Sequence, residues 1–183
     1  LEFIKQLHFW SCFWYNRNMK KLVIIRGNSG SGKSTIAKCL RDEAMCSKKI
    51  AIIEQDYLRR FILKEKEVDS TDNIELIKLT VLFAFEKGYD VILEGILYSK
   101  RYKQMIEELM DKSSESYIYY FDISFDETLR RHKTKHNAYE FGKKEMKEWF
   151  KEKDVLNFSG EKVLGEELSK EQLVEKISND VSF

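Results

Sequence analysis

One glycine-rich run has residue types and a spacing that could do chemistry. It consists of Gly27, Asn28, Ser29, Gly30, Ser31, Gly32, Lys33 and Ser34, followed by Thr35. The run fits the pattern G-x-x-x-x-G-K-[ST] completely. Its glycines let successive backbone N–H groups curl around a phosphate without Cβ clashes, and a helix that begins near its end points its positive pole at the same anion. We call residues 27–35 the phosphate loop, and the pattern predicts that this loop binds ATP.

Three side chains of the phosphate loop have separate predicted roles. The ammonium group of Lys33 is expected to reach the β- and γ-phosphate oxygens, and the hydroxyl of Ser34 to coordinate Mg²⁺. Thr35 is expected to contact the α-phosphate. A chance match or an ordinary glycine-rich turn is the alternative. We prefer the nucleotide site because an apolar run precedes the loop and an amphipathic helical pattern follows it.

A second apolar run, residues 50–54, ends in Gln55 and Asp56. The carboxyl ends of parallel strands face the ligand crevice, so Asp56 is expected opposite the γ-phosphate, where it could accept the proton of an acceptor hydroxyl. Arg59, one helical turn on, should face the same side and bind an anionic group of the acceptor. The alternative is that Asp56 only caps the following helix and that Arg59 is solvated.

The third apolar run ends in Glu94 and Gly95. A carboxylate at this point is expected to contact magnesium through water or to orient the acceptor. Gly95 is expected to let the chain pass close to the phosphate loop. The alternative is a carboxylate whose hydrogen bonds are satisfied at the edge of the site.

A basic segment follows the fourth apolar run and contains Arg130 and Arg131. One of these arginines is expected to lie over the γ-phosphate as part of a lid, since arginine stabilises transferring phosphoryl charge. Adjacent residues do not share a helix face, so the other would be solvated, and a fully solvated basic face is the alternative. His132 and His136 are four residues apart, but no third ligand is evident, so we interpret both as surface or lid histidines.

The predicted elements that must position these residues alternate along the chain. Apolar runs predict strands at 22–26, 50–54, 89–93 and 117–123, and a short fifth strand at 161–165. Periodicity and capping residues predict helices at 33–45, 57–64, 74–87, 100–110, 124–135 and 143–151, and a last one after Ser169. This alternation predicts one α/β domain with a parallel sheet and helices on both faces.

The composition and net charge of the chain reduce the number of functions that need to be considered. The 183 residues suffice for one domain with a full core, and 32 Lys plus Arg balance 31 Asp plus Glu, so the chain has no global basic field for nucleic acid. Three cysteines without paired spacing are typical of a reducing compartment, and no apolar run approaches membrane-spanning length. We therefore expect a cytoplasmic protein that does not bind a membrane and for which nucleic acid is not the favoured partner.

The first eighteen residues differ from the rest. They are rich in aromatic residues, lack clear periodicity and have no signal-peptide pattern. Met19 then opens the first strand as a start codon would. Our hypothesis is that residues 1–18 are an upstream or non-native extension and that 19–183 form the domain. The alternative is a partner-binding or membrane-surface segment.

The combination of the phosphate loop, Asp56-x-x-Arg59, Glu94-Gly95 and the arginine pair at 130–131 resembles small P-loop kinases. The group includes zeta toxins, chloramphenicol phosphotransferase, 5'-hydroxyl polynucleotide kinases and adenylylsulfate kinase. The resemblance covers about residue 20 to the C-terminus and implies a three-layer P-loop NTPase fold with strand order 2-3-1-4-5. It also implies that Asp56 is the base, with Arg59 matching the arginine that binds substrate phosphate in polynucleotide kinases.

Three functions follow from these observations. The leading one is an ATP-dependent kinase that transfers the γ-phosphate to a hydroxyl of a sugar, nucleoside or antibiotic. A polynucleotide 5'-hydroxyl kinase is the second, and it would need a basic groove leading to Asp56 and Arg59. The third is an ATP-binding toxin-like or regulatory protein whose hydrolysis is incidental. No residue pattern identifies the acceptor.

Overall fold

A computed structural model describes residues 20–44, 49–66, 72–134, 139 and 141–182. Five strands form one sheet: β1 Lys21–Gly27, β2 Ile50–Glu54, β3 Asp90–Gly95, β4 Glu115–Asp122 and β5 Lys162–Gly165. The sheet is parallel throughout, with the order β2-β3-β1-β4-β5. The predicted fold class and strand order are confirmed.

Seven α-helices lie in the described residues: α1 Lys33–Ala44, α2 Gln55–Tyr57, α3 Asp72–Glu86, α4 Ser99–Met110, α5 Phe125–Lys133, α6 Lys143–Trp149 and α7 Lys170–Val181. Side-chain caps begin two of them. Ser124 accepts a hydrogen bond from the backbone of Glu127, and Ser169 forms a capping box with Gln172. Both caps were predicted from the sequence.

The hydrophobic core has two halves, one on each face of the sheet. Successive side chains of a strand point to opposite faces, so Leu22 and Ile24 of β1 pack with residues of α3 and α4, whereas Val23 and Ile25 pack with residues of α1 and α7. Because helices cover both faces of the sheet, the central strands β1 and β3 are buried on both faces, and their sequences are continuous apolar runs. The carboxyl ends of β1, β2 and β3 therefore meet at one edge of the sheet.

The helix after β2 begins earlier than predicted and does not continue as a regular α-helix. It starts at Gln55 rather than Tyr57, and the chain continues as a π-helical turn, Leu58–Ile62. Gln55 is buried, and its side-chain amide donates to the hydroxyl of Tyr102 at 3.2 Å. Tertiary packing of Gln55 therefore fixes the point at which the helix starts.

Several expectations fall on residues outside the described part of the chain. These include the proposed extension 1–18, the start residue Met19 and the histidine at position 136. The assignment of 1–18 as an extension stays a prediction. Among the described residues, no helix is both long enough and apolar enough to cross a membrane.

Candidate active site

The phosphate loop connects β1 to α1 in a conformation that requires glycine. Gly30 has φ +84°, and a Cβ at this position would lie 2.5 Å from the backbone oxygen of Thr128 in α5. Gly27 has φ +145°, and a Cβ there would lie 2.8 Å from the backbone oxygen of Phe121 in β4. The loop is therefore packed against β4 and α5, and its backbone N–H groups precede the positive end of α1.

Lys33 begins α1 and is 7% exposed. Its Nζ donates to the backbone oxygen of Asn28 at 2.9 Å and to Oγ of Ser31 at 3.4 Å. The ammonium group therefore lies against the phosphate loop, and Lys33 borders the cavity described below. A buried ammonium group beside the phosphate loop is suited to binding an anion.

Ser34 and Glu94 are in direct contact. The hydroxyl of Ser34 donates to Oε1 of Glu94 at 2.7 Å, which joins the first turn of α1 to the end of β3. Burial raises the pKa of the Glu94 carboxyl above its ordinary value, while Lys33 and the Ser34 hydrogen bond oppose the shift. Glu54 and Asp56 raise this pKa further. Ser34 and Glu94 were both predicted to lie at the nucleotide site, and the structure brings them together.

This arrangement fits a magnesium ion held together with a phosphate ligand. Within the described residues, no group of three or more acidic, histidine or cysteine side chains could hold a metal. Mg²⁺ is usually bound by one or two protein oxygens, with substrate phosphates and water completing its coordination. The hydroxyl of Ser34 and the carboxylate of Glu94 supply that kind of donor set.

Asp56 and Arg59 form an ion pair, with Nη2 of Arg59 2.7 Å from Oδ1 of Asp56. The two side chains therefore share a face, as predicted. The capping alternative for Asp56 is wrong, because the residue that precedes α2 is Glu54 and no side chain caps this helix. Asp56 lies inside the first turn, and its side chain is half exposed.

Two cavities open beside these residues. The first, which we call the loop cavity, has a volume of about 190 Å³. It is lined by residues of the phosphate loop and of the carboxyl ends of β2 and β3: Ser29, Gly30, Lys33, Ser34, Glu54, Asp56, Tyr57, Arg60, Phe61, Glu94, Gly95, Ile96 and Phe141. It therefore brings together the predicted residues Lys33, Ser34, Asp56 and Glu94.

The second cavity, which we call the side cavity, has a volume of about 510 Å³. It is lined by charged and aromatic side chains: Ser29, Asp56, Arg59, Arg60, Lys64, Glu65, Lys66, Ile96, Tyr98, Phe141, Glu145 and Trp149. Its volume is typical of a small-molecule site. Ser29, Asp56, Arg60, Ile96 and Phe141 border both cavities, so the two are neighbours and Asp56 lies on their boundary.

Sequence reasoning missed most of the side cavity. Phe141, which contacts Trp149 with ring centroids 5.1 Å apart, was not singled out. Lys64 and Lys66 were also missed. Trp149 also lines this cavity.

The two arginines of α5 occupy different places. Nη1 of Arg131 donates to the backbone oxygen of Ser31 at 3.0 Å, so Arg131 contacts the phosphate loop. The side chain of Arg130 is 70% exposed, and its contacts are with Glu127. Both arginines donate to Glu127 and lower the pKa of its carboxyl to about 2. Neither arginine lines the loop cavity or the side cavity described above, but Arg131 is the candidate for the site because it contacts the phosphate loop.

Four further expectations were corrected or refined. His132, expected at the surface or in a lid, is buried and stacks on Phe141, with its Nε2 2.9 Å from the backbone oxygen of Phe141. A Cβ on Gly95 would approach Gln55 at 2.6 Å, so the close approach is to α2 rather than to the phosphate loop. The side chain of Asn28 is directed at the backbone of Lys151. Thr35 is exposed in the first turn of α1.

The comparisons with known proteins agree with this geometry. The family model described as zeta toxin matches residues 13–152, well over half of the chain. No curated protein has a matching sequence.

Solved kinases share the fold. The APS kinase of Mycobacterium tuberculosis, in complex with AMPPNP and APS, is 14% identical and superposes with a TM-score of 0.70 over 90% of this chain and 99% of that chain. A gluconokinase from Sinorhizobium meliloti is 14% identical, with a TM-score of 0.60 over 91% of this chain and 93% of that chain. A sugar kinase from a Janibacter species is 16% identical, with a TM-score of 0.60 over 90% and 96%.

Proposed function

Because the chain belongs to the zeta toxin family of small P-loop kinases, we propose that it is an ATP-dependent phosphotransferase whose acceptor is a hydroxyl group of a small molecule. A sugar, a nucleoside or an antibiotic is the expected acceptor. One observation carries the proposal: Asp56 lies on the boundary between the loop cavity and the side cavity. A base at this boundary is within reach of a phosphate on one side and of a hydroxyl on the other.

The loop cavity is the proposed site of the ATP phosphates. Its volume of about 190 Å³ suits the triphosphate end of the nucleotide rather than the whole molecule. Lys33 would hold the β- and γ-oxygens, and the positive end of α1 adds to the attraction. Ser34 and Glu94 would hold a magnesium ion, which neutralises charge on the phosphate oxygens.

Asp56 is the proposed general base. The hydroxyl oxygen of the acceptor would form a bond to the γ-phosphorus while the bond from that phosphorus to the bridging oxygen of ADP breaks, and Asp56 would take the hydroxyl proton. Arg59, 2.7 Å from Asp56, would hold the carboxylate in place. Ile96 and Phe141, which border both cavities, would exclude water and so favour transfer over hydrolysis.

The side cavity is the proposed acceptor site. Four cationic residues line it, Arg59, Arg60, Lys64 and Lys66, against Asp56, Glu65 and Glu145. This balance supports an acceptor that carries an anionic group. The aromatic side chains in the same lining, Tyr98, Phe141 and Trp149, support a flat or apolar portion in the acceptor.

The same cationic side chains favour a second candidate acceptor, the 5' end of an oligonucleotide. Such a substrate would place its terminal hydroxyl at Asp56 and its first phosphate at Arg59. Its binding should weaken steeply with salt because phosphate contacts release counterions. A neutral or singly charged acceptor would show a much shallower dependence.

Transfer of radiolabel from ATP to a panel of acceptors tests the proposal. The panel contains nucleosides, amino sugars, antibiotics and 5'-hydroxyl oligonucleotides, each with Mg²⁺. One class should be labelled by the wild-type chain, and Lys33→Ala should reduce labelling by roughly 10³-fold or more while its circular dichroism is unchanged. Equal labelling by a folded Lys33→Ala chain would contradict it. If the chain binds ATP tightly but labels no acceptor, the result would instead favour the third predicted function, an ATP-binding toxin-like or regulatory protein.

A further inference from the structure

Arg26 is among the largest fully buried side chains of the described residues, and it lines neither cavity. It is the last residue of β1 before the phosphate loop. The alternation of the strand places it on the face of Leu22 and Ile24, beneath the carboxyl edge of the sheet. A buried arginine is costly unless all its charge is paired, so its partners indicate what it does.

The first partner is the turn that follows β3. Nε and Nη2 of Arg26 both donate to the backbone oxygen of Leu97, at 3.0 Å and 2.8 Å. Leu97 is fully buried and has φ +46°, a left-handed conformation that is unfavourable for leucine and persists only where surrounding contacts hold it. Its neighbours Ile96 and Tyr98 both line the side cavity.

The second set of partners lies in residues 150–161, which join α6 to β5 and which we call the connector. Nη2 of Arg26 is 2.8 Å from Asp154, and Nη1 is 3.1 Å from Glu161. Asp154 also accepts from the backbone N–H of Ser99 at 2.9 Å and from its hydroxyl. The two carboxylates therefore tie the connector to Arg26 and to the start of α4.

The connector in turn holds the aromatic wall of the side cavity. Asn28 and the backbone of Lys151 exchange two hydrogen bonds, at 2.8 Å and 2.9 Å. Trp149 lies two residues before Lys151, and its backbone oxygen accepts from the hydroxyl of Tyr98. The two wall segments that contain Tyr98 and Trp149 are thus joined to each other and to Arg26.

We propose that Arg26 is a positioning residue that fixes the Tyr98 and Trp149 walls of the side cavity and so determines how the acceptor binds. The acceptor part of this inference rests on the proposed function, since it takes the side cavity to be the acceptor site. Only a planar fork of donors reaches one carbonyl and two carboxylates together, so lysine cannot replace arginine here. The nucleotide site should be less affected, because the side chain of Arg26 hydrogen-bonds to Leu97 and to the connector, and the connector meets the phosphate loop through Asn28.

The position of the wall can be measured without knowing the acceptor. The chain has three tryptophans, so replacing Trp10 and Trp14 by Phe in the full-length protein leaves Trp149 as the only one. In this background Arg26→Lys should raise acrylamide quenching of Trp149 about twofold while the affinity for MgATP, measured by calorimetry, stays within about threefold. The control is Lys21→Met, at the other end of β1, where Lys21 pairs with Glu115. This control should change neither quantity.

A second variant provides the test if the Arg26→Lys protein does not fold. Asp154→Asn keeps the shape of the side chain but loses the ion pair with Arg26, and it should give the same quenching change if Arg26→Lys does not melt cooperatively. Unchanged Trp149 quenching in either folded variant would overturn the proposal.

The transfer reaction supplies an independent result. With an acceptor from the labelling panel, Arg26→Lys should raise KM for the acceptor about tenfold and leave KM for ATP unchanged. Equal increases in both would show a general disturbance of the fold and would also overturn the proposal. If the panel yields no acceptor, the proposed function fails, but the quenching of Trp149 still decides whether Arg26 positions the wall.

Discussion

Ser34 donates a hydrogen bond of 2.7 Å to the buried carboxylate of Glu94. The contact joins the first turn of α1 to the end of β3, two elements that are distant in the sequence. A carboxylate in this position is unfavourable for folding because burial penalises its charge. The protein therefore keeps a destabilising group beside the phosphate loop, which is typical of functional sites.

Replacing Glu94 by Gln should stabilise the folded chain at neutral pH. Burial raises the pKa of Glu94 above 4.5, so the folded chain favours the protonated carboxyl. The stability that this proton contributes is fully present below pH 4.5 and is lost as the pH rises through the raised pKa. Glu94→Gln should therefore melt at a higher temperature than wild type at pH 7, and the difference should shrink as the pH falls towards 4. Magnesium-dependent ATP binding should weaken in the same variant.

The matched control for this prediction is Glu54→Gln. Glu54 pairs with Glu94 in the β2–β3 register, but its side chain is 37% exposed. Because Glu54 also lines the loop cavity, the control applies to the melting temperature, which should change much less than in Glu94→Gln. A Glu94→Gln chain that melts lower than wild type at pH 7 would show that the Ser34 and Lys33 contacts outweigh burial.

Arg131→Ala should reduce turnover far more than Arg130→Ala. Arg131 contacts the backbone of Ser31 in the phosphate loop, whereas Arg130 is exposed and pairs with Glu127 of its own helix. Loss of an arginine that stabilises transferring phosphate typically costs roughly 10³-fold to 10⁵-fold in kcat, whereas loss of an exposed ion pair has little effect. Steady-state ATP turnover of the two variants measures the difference. Equal small losses would indicate that the whole basic face is solvated.

Asp56→Asn should separate the remaining roles of Asp56. The substitution preserves size and a hydrogen bond to Arg59 but removes the ability to accept a proton, so transfer should fall by roughly 10²-fold to 10⁴-fold. ATP affinity should change little with or without Mg²⁺, since Lys33 and the loop amides carry that binding. If affinity fell only when Mg²⁺ is present, Asp56 would be a metal ligand rather than a base. Unchanged turnover would remove Asp56 from the catalytic residues.

Gly30→Ala should disrupt the phosphate loop through both strain and collision. Its φ of +84° disfavours alanine, and the new Cβ would lie 2.5 Å from the backbone of Thr128. Gly88→Ala is the control, because Gly88 has φ +76° but no atom within 4 Å of the added Cβ. Left-handed strain alone costs about 1–2 kcal/mol, so thermal melting should show a clearly larger loss for Gly30→Ala. Similar losses of thermal stability in the two variants would mean that α5 shifts at little cost to make room for the added Cβ.

The phosphate loop, the five strands and the capping residues Ser124 and Ser169 were predictable because their signals are local in the sequence. The strand order came from the resemblance to P-loop kinases, since apolar runs do not specify which strands pair. The side cavity was largely missed because its wall consists of residues from three separate segments, around 59–66, 96–98 and 141–149. Nothing in the sequence around Phe141 or Tyr98 shows that they face one space.

Two corrections have a common physical cause, which is contact with a distant part of the chain. The helix after β2 starts at Gln55 because that side chain packs against Gly95 and Tyr102. His132 is buried because Phe141 stacks on it. The sequence also could not distinguish Arg130 from Arg131, because the choice depends on which of them faces Ser31.

The sheet order also has a consequence for how the protein is made. β1 is synthesised early, but both of its neighbours come much later, since Lys21 bonds to Asp90, 69 residues away, and Lys20 bonds to Ser114, 94 residues away. At about 5–20 residues per second, a ribosome needs several seconds to produce these partners. During that interval the apolar β1 segment of the nascent chain has no neighbouring strand to pair with. It can therefore aggregate or bind a chaperone. Gly30 also packs on Thr128, so nascent chains that end before α5 should not bind ATP.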